Sequence, residues 1–267
     1  MLKTIKGVAF ATYKEWAAYR SHILVSLFIG PVQFLVQYYI WSSVYAGQAG
    51  TIRGFNLEQM LVYYGITTLI NYCIMDFAGW NLQMLIRTGR FVTFILRPVS
   101  HRLFAFSQKV GHRLLGFWLE LVPVYIIFLL VFDIYLVPAN VLWFLLSLFL
   151  GFMMMFLINY CIGMAGFWLT RTEGIRSIFV IFRDVFAGVF IPLTFFPGVV
   201  QNILFFLPFQ YISYVPVRVF IGDYQLGEMS LELPQIVGVQ AIYVIVMLLF
   251  SVFIWRMGIK RFTGVGV

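Results

Sequence analysis

Charged side chains are scarce: they make up 10% of this 267-residue chain, while 62% is hydrophobic. An ordinary soluble domain is about a quarter charged. So little polar sequence cannot cover the outside of a water-soluble core. That shortage excludes a soluble globular protein and leaves a polytopic membrane protein. Cysteine is nearly absent. The two present, Cys73 and Cys161, fall inside apolar runs with no C-x-x-C pair, which excludes a disulfide frame or a zinc site.

Catalytic motifs are missing too. No G-x-x-x-x-G-K-[ST] loop, G-x-S-x-G elbow, H-E-x-x-H pair or dinucleotide fingerprint occurs. The three histidines (His22, His101, His112) all fall near the expected inner face, and none sits beside a plausible Ser or Cys nucleophile. Nothing supports a membrane hydrolase, so active work must draw on a gradient or on another subunit. No Gly/Ser-rich or Pro-rich linker divides the chain, which reads as one membrane domain over 1–267. The opening MLKTIKGVAFATYKEWAAYRSH is basic without an early apolar core or small-residue cleavage site, so it is not expected to be a cleaved signal peptide.

What is present is long apolar sequence. A crossing helix needs about 20 apolar residues to span roughly 30 Å of hydrocarbon. Runs at 23–46, 57–80, 114–136, 141–169 and 233–255 qualify, and a sixth begins near Gly174. The net charge of +8 lies in short blocks between these runs, which reads as membrane orientation rather than nucleic-acid binding. With six spans and a cytoplasmic N-terminus, sixteen of the 18 basic residues fall inside, and Arg53 and Arg218 outside. The inner set is Lys3, Lys6, Lys14 and Arg20; Arg87, Arg90, Arg97, Arg102, Lys109 and Arg113; Arg171, Arg176 and Arg183; and Arg256, Lys260 and Arg261.

The stretch GVFIPLTFFPGVVQNILFFLPFQY, residues 188–211, tests that count. Between Asp184 and Arg218 no residue is charged, yet Pro192, Pro197, Pro208 and Pro216 interrupt any single helix. One crossing ending near Pro192, followed by short re-entrant helices across 192–232 at the outer face, keeps the last basic cluster inside. Irregular backbone at that depth must be shielded by protein or a wet cavity. The expected fold is therefore all-α and integral to the membrane: six spans, an N-terminal interfacial helix over 1–22, re-entrant helices between spans five and six, and both termini cytoplasmic.

Other candidates follow from position. In the first helix Leu2, Ile5, Val8, Ala9, Trp16 and Tyr19 share one face, and Lys3, Lys6 and Lys14 another. The connection NLQMLIRTGRFVTFILRPVSHRLFAFSQKVGHR, residues 81–113, holds six bases and no acid. It reads either as a loop resting on anionic lipid or as a docking element for a cytoplasmic partner. Ionisable residues within spans are functional candidates. Asp76 and Glu120 sit near span ends, where structural roles are expected. Arg183 and Asp184 lie deeper and, as sequence neighbours pointing different ways, are expected to find separate partners. Aromatic clusters fit interfacial belts, and Gly151, Gly163 and Gly166 suit close helix packing.

Three stretches together resemble the ABC-2 type permease family, the membrane halves of ATP-driven exporters. FAGVFIPLTFFPGVVQNILFFLPFQYISYVP resembles its fifth-span end and outer re-entrant helices; TGRFVTFILRPVSHRLFAFSQKVG resembles its inner loop; WRMGIKRFTGVG resembles the way small members finish. The resemblance implies two permeases, identical or related, with two cytoplasmic ATPase subunits that carry the ATP and Mg, and no cofactor on this chain. It implies a multi-pass protein of the bacterial plasma membrane, contacting lipid and no nucleic acid. Coupling contacts would be Arg90, Phe94, Arg97, Pro98, His101 and Arg102, with Lys14 and Arg20 as a second set. Pro192, Pro197 and Pro208 would shape the outer gate, and Arg183 and Asp184 would be intramembrane charges. The inner loop departs from many members in carrying only bases. The rival readings are a gradient-driven carrier and a membrane scaffold that transports nothing.

Overall fold

In a computed structural model the described residues are 2–18, 20–47, 50–169 and 173–262, with the side chains of residues 2, 20–24 and 175 outside that description. The chain is helical almost throughout. In order come α1 (Leu2–Ala18), α2 (Arg20–Tyr45), α3 (Leu57–Ile74), α4 (Ala78–Arg87), α5 (Phe91–Ile95) and α6 (His101–Gly116). A π-helical turn, Phe117–Leu121, carries α6 directly into α7 (Val122–Val131). Then follow α8 (Val141–Met164), α9 (Glu173–Phe186), α10 (Gly198–Phe206), α11 (Tyr214–Ile221) and α12 (Leu233–Ile259). A two-stranded antiparallel ribbon, β1 (Gln225–Leu226) with β2 (Met229–Ser230), joins α11 to α12.

The expected six spans are not found. Among the described residues three helices are long and apolar enough to cross a membrane: His101–Val131, Val141–Phe167 and Leu233–Ile259. A fourth arises if α3 and α4, bent by 41° at their junction, count as one broken span. The run beginning near Gly174 yields only the 14 residues of α9, about 21 Å at 1.5 Å per residue and short of the hydrocarbon thickness. α2 covers the first run with 26 residues around Pro31 but is not among the three. Without six spans, parity no longer places both ends on one side of the membrane.

Residues 101–113 also depart from the loop expected there, because α6 forms the first half of a 31-residue helix. Ser100 caps it, its hydroxyl accepting from the Leu103 N–H. Capping satisfies one of the donors that a helix start leaves open. α1 lies against α6, and a side chain at Gly111 would collide with the backbone of Ala9. The amphipathic division of α1 is as the sequence indicates: Ala9 and Thr12 are buried, while Lys3, Lys6 and Lys14 are exposed. Tyr19 and the side chain of Leu2 lie outside the described residues.

Two glycines permit close helix approach, as anticipated. A Cβ on Gly163 of α8 would stand 2.7 Å from the Gly79 Cα of α4, and one on Gly151 would meet the Ile212 carbonyl at 2.7 Å. α11 fills the centre of the bundle, and every residue from 210 to 220 is buried.

The broken stretch between α9 and α11 is held by neutral polar side chains. Where α9 ends, Gly188 turns with φ +77°, a conformation that favours glycine. The freed carbonyls of Gly188 and Phe190 accept from the hydroxyls of Tyr63 (2.6 Å) and Tyr64 (2.9 Å). Gln201 donates to Thr194 O and Phe196 O at 3.0 and 2.7 Å. Gln240 of α12 donates to Ser147 O and Tyr211 O at 3.0 and 2.9 Å. The Tyr63 bond gives the Gly188 carbonyl the donor that Pro192, four residues on, cannot supply, and an unmade buried bond would cost about 1–3 kcal/mol. Pro192 is buried and precedes a 3-10 turn, Leu193–Phe195; Pro197 is exposed at the start of α10; Pro208 is half-buried after it.

Candidate functional site

The junction of α3 and α4 lacks helical hydrogen bonds at Asp76, and a buried ion network occupies that gap. Asp76 Oδ1 accepts from the Ala78 N–H at 3.0 Å, which gives α4 its first capped donor. Its Oδ2 lies 3.4 Å from Asn159 Nδ2 of α8. Asn159 Oδ1 in turn accepts from Arg183 Nη1 of α9 at 2.9 Å. Arg183 is 8% exposed and also grips its neighbour, with Nε and Nη2 at 2.8 and 2.7 Å from Asp184 Oδ1. The expectation of separate partners is thus corrected. Arg183 is long enough to fold back onto Asp184 while a third donor reaches α8. The chain Asp76–Asn159–Arg183–Asp184 therefore ties three elements together.

A second buried pair stands nearby. Arg113 Nη1 donates to Tyr72 O at 2.6 Å and lies 3.2 Å from Glu120 Oε2, while Glu120 Oε1 accepts from Ser26 Oγ at 2.5 Å. α2, α3 and the α6–π junction meet there. Lys109 is 4% exposed, donates to Phe152 O at 2.7 Å and sits 4.0 Å from the centre of the Phe152 ring. Sequence reasoning read Lys109 and Arg113 only as loop charges. Their spacing of four, on the helix face that also carries Ala105, was the available signal for a buried polar stripe.

The residues expected to form coupling contacts divide into two groups. Arg90, Arg97 and Pro98 are exposed around α5. Phe94 is buried, its ring centre 4.7 Å from that of His101, and the Arg97 guanidinium carbon stands 4.7 Å from the Phe94 centroid. His101 is itself buried, stacked on Trp255 of α12, with Nδ1 3.1 Å from the Tyr160 hydroxyl of α8. Arg102 reaches Ser251 Oγ of α12 at 3.3 Å. An exposed basic rim is therefore rooted in a buried aromatic cluster. Lys14 is exposed on α1 with its amine 4.6 Å from the Phe10 centroid, far along the chain from that rim. Arg20 opens α2, but its side chain lies outside the described residues, as does all of Arg171.

Among the described residues no group of three or more His, Cys, Asp or Glu is arranged to hold a metal ion. What the arrangement offers is mechanical: one helix break mended by charges, and a rim of exposed arginines joined to the core by rings. Compared with known families, residues 32–266 match the model described as ABC-2 family transporter protein.

The chain belongs to the ABC-2 family of membrane transporter proteins. No curated protein matches it significantly. The match covers the α3–α4 break, the aromatic cluster and the proline-broken stretch, and omits all of α1 and the start of α2. This ABC-2 permease is a multi-pass integral membrane protein, and its family consists of transporter membrane components rather than hydrolytic ones.

Proposed function

We propose that this permease forms the membrane path of an ATP-driven exporter, with ATP and Mg bound by two separate ATPase subunits and a second permease completing the path. The observation that carries this reading is the family match over residues 32–266. The geometry supports it in one further respect. A moving partner that pressed on Arg90, Arg97 and Pro98 would load Phe94, then His101, Tyr160 and Trp255, and so reach α8 and α12 without passing through a flexible loop. Packed rings transmit displacement because protein interiors are dense and resist compression. Residues 81–113 would then be the ATPase-facing region, acting through α5 and its flanks. The 192–232 segment would line the far end of the path, with Pro192, Pro197 and Pro208 fixing its turns.

The test is purification in mild detergent from cells that retain the neighbouring genes. Co-isolation of an ATPase subunit, weakened by Arg97→Glu while the protein stays folded, is the expected result. A folded permease that never carries an ATPase under those conditions would overturn the reading.

A further inference from the structure

Beside the ion network lies a cavity of about 500 Å³, bounded by α1, the α3–α4 break, α6 and α9. Its wall joins two chemistries. Trp16, Phe77 and Trp80 give it broad apolar surface, and Lys109 and Arg176 give it positive charge. Trp80 is 46% exposed, so the aromatic side opens outward, whereas Lys109 is enclosed at the other side. Among the described residues neither Lys109 nor Arg176 forms an ion pair with a carboxylate. Asp76 is the one acidic residue on the wall, and its oxygens are engaged by the Ala78 N–H and the Asn159 amide.

We propose that this cavity binds an amphiphile with an anionic, phosphate-type head group, the head toward Lys109 and Arg176 and the tail along Trp80. A wholly apolar ligand would leave the two cations of the wall with the single carboxylate of Asp76 between them in a partly enclosed site, which is costly. A small hydrophilic anion would leave the tryptophan and phenylalanine surface wet. An amphiphile satisfies both, as basic pockets between membrane helices and interfacial aromatic rings do for lipid. The source of the head group is either a membrane phospholipid or a phosphate-bearing cargo with a tail, and the chemistry of recognition is the same for both. The inference does not rest on ATPase coupling, because binding is a property of this chain alone.

The experiment uses the full chain, purified without any ATPase, in nanodiscs of phosphatidylcholine. Brominated phosphatidylglycerol or brominated phosphatidylcholine is added at the same low fraction, and quenching of tryptophan fluorescence is read. The Trp80 component is isolated by difference from Trp80→Phe. Stronger quenching by the anionic lipid is expected, with Arg176→Gln reducing that preference about fivefold at an unchanged thermal midpoint. A soluble short-chain phosphate ester with an alkyl tail should compete if cargo can enter, and its failure beside successful phosphatidylglycerol binding assigns the site to bilayer lipid. Equal quenching by both lipids, or a preference untouched by Arg176→Gln, would overturn the proposal. Displacement of the lipid by millimolar inorganic phosphate would overturn the need for a tail.

Discussion

Two places in this permease interrupt a helix inside the bundle, and they are mended in different ways. At residues 75–77 the repair is ionic, running from Asp76 through Asn159 to Arg183 and Asp184. Between residues 188 and 213 the repair is neutral, made by the hydroxyls of Tyr63 and Tyr64 and the amides of Gln201 and Gln240. The neutral repair costs little desolvation and suits a fixed scaffold. The ionic one requires charges to be taken out of water, and its strength depends on every partner staying in place. On that ground the 75–77 break is expected to rearrange more readily than the 188–213 stretch. It also lies nearer the exposed arginines of the α5 region along the chain.

The comparison can be broken by removing one member from each side. Arg183→Met should have the largest effect, because it strands Asp184 and frees the Asn159 carbonyl. About 3 kcal/mol of stability should be lost, read as a lowered unfolding midpoint in detergent; a loss no larger than that of an exposed arginine would contradict the ionic repair. Gln240→Leu comes next. Gln240 is fully buried, donates to Tyr211 O and accepts from the Ser147 hydroxyl, so leaving that carbonyl without its donor and that hydroxyl without its acceptor should cost about 2 kcal/mol. Gln201→Leu should cost about 1–2 kcal/mol, since Thr194 and Phe196 lose their donor where the chain is only partly enclosed. Pro197→Ala should be smallest, below about 0.5 kcal/mol, because Pro197 is exposed and only pre-sets the start of α10. If Gln240→Leu proved as mild as Pro197→Ala, the neutral repair would not be holding the segment.

Much of this was legible in the residues. The runs at 141–169 and 233–255 became α8 and α12 because nothing in them breaks a helix, and the prolines between 192 and 208 marked a chain that could not stay straight. The family likeness came from that proline-broken stretch together with the inner loop around residues 88–111 and the basic tail after the last run. What was hidden was long-range. Residues 101–113 read as a basic loop because charge in a membrane chain usually means an exposed connection. In the fold the same charges lie on one buried side of α6, answered by the Phe152 and Tyr72 carbonyls and by Glu120. The Phe152 and Tyr72 carbonyls, 43 and 41 residues from the cations they answer, leave no mark on local periodicity. The failure at Arg183 and Asp184 was one of reach: backbone directions about 100° apart on a helix forbid contact for short side chains, not for arginine. The sixth run misled because apolar composition continues past Phe186, although the helix does not.

On the proposed coupling, motion at the arginine rim enters the bundle through Phe94. Spin labels on Leu96→Cys and Val199→Cys, two exposed positions, in a background with Cys73 and Cys161 replaced by serine, report on this while leaving the arginines of the rim in place. Distances are measured in the assembled complex with and without ATP. An ATP-dependent change that disappears in Phe94→Ala, while ATP is still hydrolysed, is the predicted result. The same change with and without the Phe94 ring would contradict the claim.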